Sequence, residues 1–91
     1  MPTAAESLDE IRHAIVQLRA AATHDNDVSR GEVADRLGRQ FDGIDNPREL
    51  RTTAANALHL YRGGMGSFQD TGTAVMDAAV NRLRHALSQA I

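Results

Sequence analysis

Residues 7–22, SLDEIRHAIVQLRAAA, decide the fold class: Leu8, Ile11, Ile15, Leu18 and Ala22 recur at intervals of 3, 4, 3 and 4. That spacing returns to one side of a helix and cannot alternate as a strand does. Arg12, His13 and Gln17 fall away from the stripe, leaving one narrow apolar seam that needs a partner. The other end of the chain supplies a match. Met76, Val80, Leu83, Leu87 and Ala90 repeat at 4, 3, 4 and 3, in a helix expected to start at about Asp70 or at Thr73. Two capping boxes precede the first seam, Thr3 with Glu6 and Ser7 with Glu10, and either can open the helix.

Between the two seams lie two shorter helices. His24-Asp-Asn-Asp-Val breaks the first pattern and places His24 in a loop. Ser29 with Glu32 then forms a capping box before Val33, Leu37, Phe41 and Ile44 line one side of a second helix, with Gly43 as its stop. Glu32/Arg36 and Asp35/Arg39 sit four apart with the acid first, each pair contributing about 0.3–0.5 kcal/mol as surface support. The clearest start is Asn46-Pro47-Arg48-Glu49, where Asn caps, Pro suits the first helical position and Glu returns the bond. Leu50, Ala54, Ala57, Leu58 and Tyr61 share the face of this third helix and His59 projects from the opposite side.

Four short-looped helices with matching seams predict an all-α fold, a compact antiparallel four-helix bundle-like domain spanning residues 1–91 as one unit. At 91 residues the core is thin, since folding a chain of this length buries only roughly 60–65% of its unfolded surface. Abundant Ala and only three aromatic residues, Phe41, Tyr61 and Phe68, favour close-packed helices over sheets. There is no cysteine, so disulfides and thiolate metal sites are excluded. The N-terminal stretch is acidic and polar, unlike a signal peptide. No apolar run approaches the roughly 18 residues of a membrane span, so a cytoplasmic protein is expected. All ten basic residues are Arg, as codon bias in a GC-rich bacterial genome produces.

Charge is uneven. Residues 25–45 carry six acids against three Arg, net −3, while the rest of the chain carries six acids and seven Arg, net +1. Such a segment is either an ordinary solvated face or a patch that steers a basic partner, and it fits nucleic acid poorly. Asp25-Asn-Asp27-Val-Ser29 imitates a calcium loop, but the positions that need Gly and Glu hold Arg30 and Arg36. Val33 to Gly38 resembles half of a helix-turn-helix. Its reading helix would contain Asp42, Asp45 and Pro47, which repel phosphate and break a helix. His13, His59 and His85 project to solvent with no pair at i, i+4, so neither a metal site nor a general base is expected. Ser67 and Asp70 lack the strand–turn–helix setting of a nucleophile elbow.

The stretch LYRGGMGSFQD, residues 60–70, packs three glycines into four positions. Without Lys it cannot be a P-loop. As a joint, Gly63 and Gly64 end the third helix, Gly66 permits a reversal, Ser67 caps, and Met65 and Phe68 fold over the bundle end. As a site, Arg62, Gly64, Gly66 and Ser67 would hold an anion or small metabolite on backbone N–H groups. The same residues resemble the Gly-Gly-Met-Gly-Ser-Phe-Asn-Asp type motif of a family of small, functionally uncharacterised bacterial helical proteins, with Gln69 in place of the usual Asn. The size and acidic character of that family resemble those of immunity proteins that neutralise secreted bacterial toxins.

The expectation is therefore a non-enzymatic protein-interaction module of immunity type, without cofactor or metal, that meets a basic toxin domain through Asp27, Glu32, Asp35 and Asp42. A further expectation is a homodimer in which the aliphatic seams of the first and last helices continue between copies. No membrane or nucleic-acid partner is expected.

Overall fold

Each helix begins where a side chain can satisfy orphan backbone N–H groups. The computed structural model describes residues 3–62 and 73–91, and the side chains of residues 60–62 lie outside that description. It contains α1 (Ala4–Asp25), α2 (Val28–Gln40), α3 (Pro47–Arg62) and α4 (Ala74–Gln89), so the all-α expectation holds. Of the two candidate boxes, Thr3 and Glu6 open α1: Thr3 Oγ1 accepts the Glu6 N–H at 3.1 Å and Glu6 Oε1 accepts the Thr3 N–H at 3.4 Å. Ser7 is instead buried inside the helix.

The first loop is shorter than the sequence suggests. His24 belongs to the last turn of α1, and the chain turns only at Asn26, whose left-handed backbone (φ 55°, ψ 37°) brings the Asp27 N–H to the Ala22 carbonyl at 2.8 Å. Asn tolerates that conformation better than most residues. The turn leaves Asp27 extended with its carboxylate over the next helix, and it accepts the Arg30 N–H at 3.0 Å. Asp27, not Ser29, is therefore the cap of α2, and Ser29 becomes an exposed first-turn residue. α2 ends at Gln40, with Gly43 (φ 80°) serving the turn that follows rather than the helix stop itself.

The starts of α3 and α4 match the sequence. Asn46 Oδ1 accepts the Glu49 N–H at 2.8 Å while Asn46 Nδ2 donates to Glu49 Oε2 at 3.2 Å, and Thr73 Oγ1 accepts the Met76 N–H at 3.0 Å. Thr73 is thus the cap of α4, and Asp70, the other start read from the sequence, lies outside the described residues.

α1 is the hub. It packs most extensively on α4 and α2 and more lightly on α3, which lies mainly against α4. Thr73 bonds Asp25 at the start of α4 and Arg82, halfway along the helix, pairs with Glu10 near the start of α1, so α4 runs antiparallel to α1. Likewise α2 descends from Asn26 until Arg12 Nη2 donates to the Phe41 carbonyl at 3.3 Å, placing a cation at its C-terminus. α2 and α3 scarcely touch each other. Because α1 serves three neighbours, its apolar stripe is wider than the sequence seam: Ala14 and Ala21 are buried alongside Ile11, Ile15, Leu18 and Ala22, while Leu8 is only half-buried. The seams of α1 and α4 meet each other within the chain, in one cluster with Leu37, Phe41, Leu50 and Ala54. Burying each large side chain contributes about 1.5–3 kcal/mol. The radius of gyration of 12.3 Å matches the roughly 12 Å of a densely packed chain of this length. Among the described residues no helix is long and apolar enough to cross a membrane.

Candidate functional site

The four acids read from the sequence all border the outer groove between α1 and α2. One shallow depression there is lined by Arg19, Thr23, Asp27, Val28, Gly31 and Glu32. Its continuation is lined by Val16, Ala34, Asp35, Gly38, Arg39 and Asp42. The helical period puts Gly31, Asp35 and Gly38 on the groove side of α2, and Asp42 joins them from the turn that follows the helix.

The four carboxylates are not equivalent. Asp27 is committed to its own helix: besides capping it, its Oδ2 lies 2.8 Å from Arg30 Nη1. The Arg30 backbone N–H, and then its guanidinium, hold the Asp27 carboxyl below the ordinary aspartate value of 3.8. Asp35 is ion-paired across the groove to Arg19, joining α2 to α1. Neither local pair expected from the sequence, Glu32/Arg36 or Asp35/Arg39, is among the ion pairs of the described residues. Glu32 and Asp42 are exposed and remain available to a partner. Two exposed aliphatic residues accompany them, Val16 at 64% and Val28 at 74% of full exposure.

A second polar cluster joins the ends of α1 and α4. Thr73 Oγ1 donates to Asp25 Oδ2 at 2.6 Å while accepting the Met76 N–H, so Asp25 orients the hydroxyl that caps α4. That hydrogen bond, followed by the one from His24 Nδ1 at 2.9 Å, keeps the Asp25 carboxyl below its ordinary value. Sequence reasoning missed this link because its partners are 48 residues apart. A third feature, a cleft between α2 and α3, is lined by the uncharged groups of Gln40, Thr53, Asn56 and Ala57 together with His59. It exists because those helices barely pack together, which no local pattern signals.

His13, His59 and His85 are exposed, as their helical positions predict, and His13 faces Asp9 at 3.9 Å. Among the described residues no three His, Cys, Asp or Glu side chains converge as metal ligands would. Of the alternative anion site, Gly64, Gly66, Ser67 and the Arg62 side chain lie outside the described residues, as do the capping roles read for Gly63 and Gly64 and the inward packing read for Met65 and Phe68. Comparison of the chain with protein families, curated proteins and solved structures finds no match.

Proposed function

We propose that this chain is a non-enzymatic interaction module of immunity type, acting in the cytoplasm, which holds a basic toxin domain against the face formed by α1 and α2. The observation that supports this reading is the placement of Asp27, Glu32, Asp35 and Asp42 along one groove beside the exposed Val16 and Val28. Carboxylates raise the rate of encounter with a cationic surface, and the small apolar patches contribute area once contact is made. Asp27 and Asp35 already hold Arg30 and Arg19, so Glu32 and Asp42 are the groups with most to gain from a partner's cations.

The experiment uses the tagged chain as bait in extracts of its native host, with captured proteins identified by mass spectrometry and their binding remeasured with purified components. Glu32→Gln with Asp42→Asn removes two charges without touching the α2 cap or the Arg19 bridge. At low salt it should slow association about tenfold, leave dissociation nearly unchanged and flatten the salt dependence. A captured partner that is toxic when expressed alone, and harmless with the chain present, completes the reading. Association unaffected by the double variant sinks it.

A further inference from the structure

Asp25 stands at the wrong end of its own helix. The last turn of α1 presents the negative end of the helix dipole, which disfavours a carboxylate, yet only 12% of this side chain is exposed. Its charge is held chiefly from other helices. Thr73 at the start of α4 donates to Asp25 Oδ2 at 2.6 Å, the Arg30 guanidinium of α2 adds an opposite charge, and His24 Nδ1 lies 2.9 Å from Oδ1. A carboxylate that its own helix end opposes is thus anchored at the starts of two others, where the dipole favours it.

Both of those starts are built on the neighbours of Asp25. One residue on, Asn26 makes the left-handed turn that sends the Asp27 N–H to the Ala22 carbonyl, and Asp27 then caps α2 by accepting the Arg30 N–H at 3.0 Å. In α4 the Thr73 hydroxyl has a single proton. Giving it to Asp25 turns the oxygen lone pairs toward the Met76 N–H, which they accept at 3.0 Å. The turn before α2 and the cap of α4 therefore share one carboxylate. That turn also shapes the groove, because Thr23, Asn26, Asp27 and Val28 line its end.

We infer that Asp25 is a latch through which the α1–α2 turn and the start of α4 close and open as one unit, so that the end of the groove is controlled from a helix that does not line it. Helix ends are the parts of a fold that open locally without unfolding the rest, and Met76, Val80 and Ala22 keep the core packed when the latch is released. Whatever engages the Thr73 hydroxyl reaches the groove without touching it. The inference goes beyond the partner reading and stands whatever occupies the groove.

Amide exchange with water, followed by NMR on the full chain at neutral pH, tests it. Thr73→Asp keeps a good capping side chain for α4 but turns a carboxylate toward Asp25, whereas Thr73→Ser keeps both the cap and the donor. T73D and D25A should each raise exchange at least about fivefold at the amides of Asp27, Arg30 and Gly31, while T73S stays within about twofold of wild type. The amides of Glu49 and Leu50, bonded to Asn46 at the other end of the bundle, should not change, which separates the latch from a general loss of stability. D25A/T73D should exchange at the α2 amides no faster than D25A alone, since the shared carboxylate is already gone. Exchange that rises only at Met76 and Asp77, or equally at Glu49 and Leu50, overturns the inference, as does a double variant in which the two effects simply multiply.

Discussion

At Asp27 one carboxylate performs two separable tasks, capping α2 and carrying a charge that Arg30 stabilises. Asp27→Asn keeps a good cap and removes the titration, whereas Asp27→Ala loses both. Alanine should cost about 1 kcal/mol at neutral pH and asparagine much less, with Ser29→Ala close to neutral because Ser29 caps nothing. Asp25 and Asp27 both have carboxyls held below 3.8, so the unfolded chain binds protons before the native one does. Their contribution is therefore present above about pH 4 and is lost as pH falls through the lowered native values. Urea titrations from pH 7 to pH 2 should show Asp27→Asn with a shallower acid decline than wild type. Glycine gives the second residue-scale contrast: Gly38→Ala should raise stability by about 0.5–1 kcal/mol, since it gains helix propensity and meets no obstacle. Gly43→Ala should lower it by about 1 kcal/mol, because φ 80° strains any Cβ. Thermal melts followed by circular dichroism check both.

Among the elements, α1 carries the most packing, and the depth of its side chains orders the cost of truncation. Leu18 is fully buried whereas Leu8, on the same sequence seam, is only half-buried near the N-terminus. Leu18→Ala should cost about 2–5 kcal/mol and Leu8→Ala about 1 kcal/mol or less, measured by urea denaturation. Periodicity alone ranks the two equally. It locates a stripe but cannot say how many neighbours that stripe must serve. For the same reason Ala14 and Ala21 went unnoticed in the sequence: they become core residues only because α2, α3 and α4 all meet α1. Caps were legible where they are local and strong, as at Asn46-Pro47 and Thr73. They were misread where two signals compete, because the left-handed Asn26 shortens the turn and hands the cap from Ser29 to Asp27.

Across the whole molecule, the four helices converge on one hydrophobic cluster, and among the described residues the depressions outside it are open grooves between helices. Helical class, the four segments and most buried positions were written in the sequence, because apolar spacing and capping are local properties that survive in any arrangement of neighbours. The acidic character of residues 25–45 was written there as well. Tertiary structure alone decided which of those acids are engaged. Arg19 reaches Asp35 and Thr73 reaches Asp25 only after helices distant in sequence pack side by side, and an ion pair or hydrogen bond depends on distances that a linear pattern does not contain. The same packing left Glu32 and Asp42 exposed, on the side that the core did not need.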